Sequence, residues 1–139
     1  MNSFIGEGLG RIIVLSFDRG DKLLEGVKKE LADIGVENAV LLSAIGTLDK
    51  AVYHRITTTA EPPEDETLII EGPIELSAVD GMVIKGEPHF HMVFTDLKET
   101  YSGHLEDDST VLYLAELVLA EIKGLDIKRV NNGREIVET

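Results

Sequence analysis

The stretch Pro88-His89-Phe90-His91-Met92-Val93-Phe94 sets two histidines two residues apart within an apolar run. In a β-strand, residues i and i+2 point to the same face of the sheet. His89 and His91 therefore share one face if this stretch is extended. The alternation predicts a strand that carries both imidazoles on one side.

The chain after this strand contains what is needed for a hairpin. A largely polar stretch able to turn, residues 95–99, follows, and the chain returns through Tyr101-Ser102-Gly103-His104-Leu105. If a two-residue turn centres on Leu97 and Lys98, His91 lies directly across from His104. Directly opposed residues share a face, with Cβ atoms roughly 4.5–5.5 Å apart. The sequence thus predicts a β-hairpin with three histidines on one face.

Three imidazoles at one point suit a divalent metal. Zinc takes histidine nitrogens at about 2.0–2.1 Å and, in catalytic sites, keeps a fourth position open. We predict that His89, His91 and His104 hold such an ion, with zinc the leading choice among metals that imidazole also suits. The alternative is an ordinary polar sheet face, because a one-residue slip in register would move His104 to the other side.

Bulk properties limit the class of protein. The 139 residues predict a single domain, 1–139. The chain has no cysteine, which excludes disulfides, thiolate metal ligands and thiol catalysis and fits a cytoplasmic protein. We expect no membrane span, because no apolar run approaches about 18–20 residues. The net charge of −13 disfavours DNA binding, which needs clustered Lys and Arg to neutralise phosphates.

The first half of the chain predicts a strand, a helix and a second strand. Residues 10–17 form an apolar run, and 38–45 form another. Between them, 21–34 have helical spacing of apolar residues, with Asp21 as the expected N-cap and Gly35 as the terminating glycine. A break with glycine and aspartate is expected to separate the second strand from the next.

The second half predicts further strands and one ambiguous segment. Residues 50–58 alternate, 59–66 are a Pro-containing surface loop, and 67–76 form another strand that Gly72-Pro73 is expected to interrupt. A later strand begins at Gly81. The segment 109–123 is rich in Leu, Ala and Glu, so its composition favours helix, although it also fits a strand that is apolar on both faces.

Several other polar residues are candidates for the site. His54 is interpreted as an ordinary satisfied histidine, unless its strand neighbours the hairpin. Glu116, inside an apolar segment, is a candidate catalytic base or partner of the histidines, or an interface ion-pair residue. Glu99 is a second candidate base. Arg129 and Arg134 could bind an anion near a subunit junction, although a solvated tail is the simpler interpretation.

Together these segments resemble the PPC (plant and prokaryote conserved) domain family over roughly residues 10 to 130. The residues that carry the resemblance are Arg19-Gly20-Asp21-Lys22-Leu23, Leu42-Ser43-Ala44-Ile45-Gly46, His89-Phe90-His91, Ser102-Gly103-His104-Leu105 and the run from Val111 through Ala115-Glu116-Leu117. Their order and spacing carry the resemblance, since no single match is specific.

The resemblance has consequences for fold, assembly and site. It implies an α+β fold, a mostly antiparallel sheet with a helix packed on it, assembled as a homotrimer. It implies that 111–122 is a strand, which we adopt over the helical composition because tertiary context overrides propensity. It also implies a metal at the histidine cluster of stand-alone prokaryotic members, on His89, His91 and His104.

Three functional hypotheses follow. The first is a trimeric metal-binding protein of unknown function, whose metal is structural or, in a small hydrolase or lyase, activates water. The second is a DNA-associated regulator or scaffold, since stand-alone members are described as predicted DNA-binding proteins. Plant members carry Arg-Gly-Arg-Pro AT-hooks, and this chain has none. The third is a cupin-like His-x-His protein, which ranks last because 92–95 lack the expected glutamate.

Overall fold

A computed structural model describes all 139 residues. The chain forms eight strands and one helix, and no helix has the length and apolar character that crossing a membrane requires. The elements are β1 (Gly8–Asp18), α1 (Leu23–Asp33), β2 (Ala39–Ile56), β3 (Asp65–Ile84), β4 (Glu87–Thr95), β5 (Thr100–Leu105), β6 (Thr110–Lys123), β7 (Ile127–Val130) and β8 (Glu135–Glu138). The predicted mostly antiparallel sheet with one helix is confirmed.

Six strands form one sheet in the order β1-β6-β2-β3-β4-β5, and every pairing is antiparallel. The last strand, β5, also pairs with the far end of β2, so β2, β3, β4 and β5 close on one another. Irregularities in the pairing of β2 with β6 and with β3 occur between 41 and 50. Bulges of this kind bend a strand and increase its twist. They allow β2 to pair with β6 from residue 39 to residue 50 and with β5 near its end.

The core lies on one side of this bent sheet. In β1, Ile13, Leu15 and Phe17 are buried while the residues between them are exposed, which is the alternation of a half-buried strand. The helix α1 contributes its buried apolar stripe to the same core and packs near β4 and β6. The short hairpin β7–β8 forms a separate two-stranded sheet and packs against β3.

The helix begins differently from the sequence prediction and ends as predicted. Lys22 occupies the N-cap position without a side-chain cap. Asp21 instead accepts a hydrogen bond from the Asp18 amide at 2.8 Å, so it closes the preceding turn and the N-cap prediction was wrong. Gly35 follows the helix at φ +71°, and its amide donates to the Ala32 carbonyl. Glycine adopts this left-handed conformation without strain.

Two strands that the sequence analysis expected to be interrupted are continuous. Residues 39–56 are one strand and 65–84 are another, so the expected breaks near residue 47 and at Gly72-Pro73 were wrong. The glycines and prolines mark irregular positions inside long strands rather than their ends. The segment 110–123 is a strand, because β1 and β2 pair with it on either side and override its helical composition.

Candidate metal centre

The histidine hairpin has the register that its symmetry predicts. Strands β4 and β5 close at Thr95 and Thr100, and the Asp96 amide donates to the Glu99 carbonyl at 3.1 Å across the turn. In this register His91 pairs with His104. The local sequence pattern was sufficient here because every partner lies within one hairpin.

The three predicted ligands meet at one point. One ring nitrogen from each of His89, His91 and His104 lies within 4.8 Å of the other two. The Nε2 atoms of His89 and His91 are 3.2 Å apart. Two nitrogens on one tetrahedral zinc, each at about 2.0–2.1 Å from the ion, lie about 3.3 Å from each other. The spacing of this pair therefore fits a shared ion.

A fourth histidine joins the group from another strand. His54 pairs with His104 across β2 and β5, and their rings stack with centroids 4.3 Å apart. Gly103 permits this approach, because a Cβ atom there would lie 2.6 Å from the His54 carbonyl oxygen. The strand of His54 neighbours the hairpin, which is the condition under which the sequence analysis allowed this histidine a place near the site. We call His54, His89, His91 and His104 together the histidine cluster.

A carboxylate that the sequence analysis overlooked also reaches the cluster. The Glu106 carboxylate forms a hydrogen bond with Nδ1 of His54, and its Oε1 lies 3.9 Å from Nε2 of His104. His54, His104 and Glu106 form a second group of potential ligands, which shares His104 with the first. Glu106 therefore lies beside the predicted ligands, and its hydrogen bond with His54 holds it there.

The two acidic residues singled out from the sequence lie elsewhere. Glu116 is exposed on β6, opposite Ser16 on one side and Ile45 on the other, and does not line the histidine cleft. Glu99 lies in the hairpin turn, separated from the His91–His104 pair by four residue pairs. The interpretation of Glu116 as an inward-facing group was therefore wrong, and the carboxylate that lies beside the histidines is Glu106.

The histidine cluster opens into a cleft of about 730 Å³. Strands β2, β4 and β5 form its floor, and the β7–β8 hairpin contributes a wall. Three arginines line it beside the histidines, namely Arg55, Arg129 and Arg134. The cleft is large enough to admit a small molecule beside the imidazoles.

The surroundings keep two of the imidazoles neutral. Burial is the main cause that lowers the pKa of His104 from 6.5 to about 4, and the neighbouring histidines and Arg129 add to this effect. Burial is also the main cause that lowers the pKa of His89. A metal binds neutral imidazole and must otherwise displace a proton. At neutral pH both side chains therefore have a free nitrogen lone pair to offer.

The pKa of His104 predicts a pH dependence of stability in metal-free protein. Between its folded pKa of about 4 and its ordinary value of 6.5, the unfolded chain binds more protons than the folded chain. The free energy of unfolding should therefore be highest above pH 6.5 and fall as the pH is lowered toward 4. Allowing for solvent screening of this partly exposed group, we expect a loss of about 1 kcal/mol between pH 7 and 5.

Urea unfolding with a chelator at pH 7 and pH 5 measures this loss. His104→Gln cannot take up the proton, so its stability should vary less over the same interval. Depressed carboxylate pKa values, such as that of Asp108 at about 2, act at lower pH and affect both proteins equally. Equal losses in the wild type and the variant would contradict the assignment to His104.

Fold and site together define a class: a small antiparallel α+β domain with a histidine cluster in an open cleft. The sequence model of the Plants and Prokaryotes Conserved (PCC) domain matches residues 5–123. The chain therefore belongs to the PCC domain family, as the sequence resemblance predicted. No functionally curated protein matches it.

Solved structures agree with this assignment. A plant- and prokaryote-conserved (PPC) protein of Pyrococcus horikoshii is 29% identical with a TM-score of 0.78, over 100% of this chain and 98% of that one. A metal-containing protein of Archaeoglobus fulgidus is 23% identical with a TM-score of 0.79, over 100% and 99%. A protein of Bacteroides thetaiotaomicron, provisionally labelled DNA-binding, is 13% identical with a TM-score of 0.73, over 93% and 90%.

Proposed function

We propose that this PCC-domain protein binds one divalent transition metal, zinc in the first place, through His89, His91 and His104. The observation that carries the proposal is the convergence of three imidazole nitrogens within 4.8 Å, with two of them 3.2 Å apart. Three neutral nitrogens are a typical ligand set for zinc, and imidazole also suits copper, nickel and iron. The metal content of the Archaeoglobus fulgidus neighbour supports the same interpretation.

Catalysis at the metal is the second candidate function, and the pair formed by His54 and Glu106 beside the predicted ligands favours it. A zinc ion on three histidines would supply a water of lowered pKa at its fourth position. The Oε1 atom of Glu106 lies 3.9 Å from Nε2 of His104, and a hydrogen bond with His54 fixes the orientation of this carboxylate. Glu106 is therefore the candidate proton acceptor beside the predicted metal ligands. A small hydrolase or lyase is the reaction class that these residues suit.

Metal analysis of the tag-free protein by plasma mass spectrometry tests the main proposal. We expect about one zinc, nickel or iron ion per chain after purification or after incubation with the metal and removal of the excess. A protein that remains free of metal after incubation with zinc would leave the histidine cluster as a polar sheet face and remove both metal hypotheses.

A DNA-associated role has weaker support. Two neighbours, from Bacteroides thetaiotaomicron and Ralstonia eutropha, are provisionally labelled DNA-binding. Against this, the chain has 26 acidic and 13 basic residues, and most of its lysines pair with carboxylates, as Lys22 and Lys50 both do with Asp108. Such a surface repels the phosphate backbone, so we rank DNA association below metal binding.

We further propose that the protein assembles as a homotrimer through the outer face of β1, β6 and β2. Four apolar side chains on this face are more than half exposed in the single chain: Ile12, Val14, Leu42 and Ile45. Paired residues share a face, and the register of the three strands aligns Val14 with Val118 and Ile45 with Glu116. A contiguous apolar patch of this kind is typical of a subunit interface.

A further inference from the structure

We propose that the cleft binds an oxyanion, a carboxylate or phosphate group of a small molecule, between Arg129 and the metal position. This inference rests on the metal proposal and names the class of ligand that the site takes. Arg129 lies on β7 and lines the cleft together with the histidine cluster. The match to the PCC family model ends at residue 123, so this arginine comes from the C-terminal hairpin beyond it.

Arg129 is half-buried and has almost no partner within the chain. Its Nε atom is fully buried without a hydrogen-bond acceptor, and its only side-chain hydrogen bond runs from Nη1 to the Gly133 carbonyl at 3.3 Å. A guanidinium has five N–H donors in a planar fork. With Nε buried and one Nη1 donor used, three Nη donors are left for a ligand.

Arg129 forms no ion pair although the chain is strongly acidic. Of the other four arginines, three have a carboxylate partner, namely Arg11 with Glu121, Arg55 with Glu66, and Arg134 with Glu61, and the fourth, Arg19, is exposed. Arg129 has none, although burial disfavours an unpaired charge and lowers the pKa of its guanidinium. Burying a cation without a counter-ion costs free energy, and this cost is offset when an anion binds.

The histidine cluster lies close enough to Arg129 for their charges to interact. The positive charge of Arg129 contributes to the lowered pKa of both His89 and His104. A divalent ion on the histidines would add two more positive charges to this end of the cleft. Glu106 is engaged by His54, and the two carboxylates that line the cleft, Asp65 and Glu87, are exposed. Asp80 lines an adjoining cavity with Arg129 but is also exposed and forms no ion pair with it.

Because Arg129 has no carboxylate partner within the chain, the ligand that fits this end of the cleft is an anion. A carboxylate or phosphate presents two oxygens, of which one suits the open metal position and the other the guanidinium fork. The cleft, at about 730 Å³, is much larger than a bare inorganic ion. The oxyanion is therefore expected to be one end of a larger molecule. Its remainder would lie toward Arg55 and Arg134.

Cobalt-loaded protein gives a test with a spectroscopic readout, because the visible absorption of bound Co²⁺ reports its ligands. Acetate and methylphosphonate serve as probes, and chloride at equal ionic strength controls for salt. We expect both probes to change the spectrum of the wild type in a saturable way. Arg129→Gln should bind cobalt normally but need at least about tenfold more of either probe, since charge-assisted hydrogen bonds are lost.

Arg19→Gln is the matched control, because Arg19 also lacks an ion pair but is exposed at the turn before α1. It should behave as the wild type does. Tighter binding of acetate would identify a carboxylate ligand, and tighter binding of methylphosphonate a phosphoryl ligand. Equal half-saturation in the wild type and Arg129→Gln, with cobalt bound in both, would overturn this inference alone. Failure of the wild type to bind cobalt would overturn the metal proposal and this inference with it.

Discussion

His104→Ala should empty the metal site: we expect about one zinc ion per wild-type chain and almost none in the variant. His104 is the histidine that both potential ligand groups share, so its loss leaves neither group with three donors. The loss of zinc affinity should exceed the roughly 10–100-fold loss that is typical when a residue next to the metal ligands, rather than a ligand itself, is replaced. Metal content after dialysis and zinc titration with a chromophoric competitor measure it, and circular dichroism checks the fold.

His54→Ala is the control that separates the two ligand groups. If His89, His91 and His104 hold the ion, this variant should keep about one zinc per chain and lose roughly 10–100-fold in affinity, as expected for a partner outside the ligand set. If His54→Ala loses its metal while His89→Ala keeps it, the ion would belong to the group containing Glu106. Full zinc occupancy in His104→Ala would contradict both assignments.

The hairpin could be predicted because it is local. The alternation of His89 and His91, the turn and the position of His104 all lie within one short segment, and the structure has the predicted register. Hairpin register depends on turn geometry and on a buried face, and both can be seen in the sequence. Whether the cluster binds metal remains a prediction.

The remaining parts of the site depend on contacts that no local pattern encodes. His54 reaches the cluster only because the end of β2 pairs with β5 across some fifty residues of chain. The one available signal was Gly103, a glycine inside a predicted strand, which indicates close approach of another backbone. It could not identify the partner strand. Arg129 has no local signal either, because its position depends on how the C-terminal hairpin packs.

The strand β6 illustrates a different limit. Its Leu, Ala and Glu content favours a helix, and only the family resemblance predicted the strand that the structure contains. Pairing on both sides supplies hydrogen bonds that the isolated segment lacks, so tertiary context determines the outcome. The same context exposes Glu116 on the outer face rather than burying it among the histidines. Its place beside Ile45 instead makes it a candidate for the subunit interface, the alternative that the sequence had left open.

Ile45→Asp should convert the proposed trimer into monomers. Ile45 is 53% exposed in the single chain and lies on the apolar outer face of β2. In a trimer this substitution would bury three carboxylates without partners, and each unpaired buried charge costs several kcal/mol. Light scattering coupled to size exclusion should give a mass of about 46 kDa for the wild type, three times 15.2 kDa, and about 15 kDa for the variant.

Leu97→Asp makes the same chemical change at the exposed tip of the histidine hairpin and should leave the trimer intact. Ile45 also lies nine residues before His54 on β2, up to about 30 Å along the strand, so the monomeric variant should keep its zinc. Retention of metal would show that the variant is folded and that each chain holds a complete site. A wild type of 15 kDa would contradict the trimer, and an Ile45→Asp variant of 46 kDa would place the interface on another face.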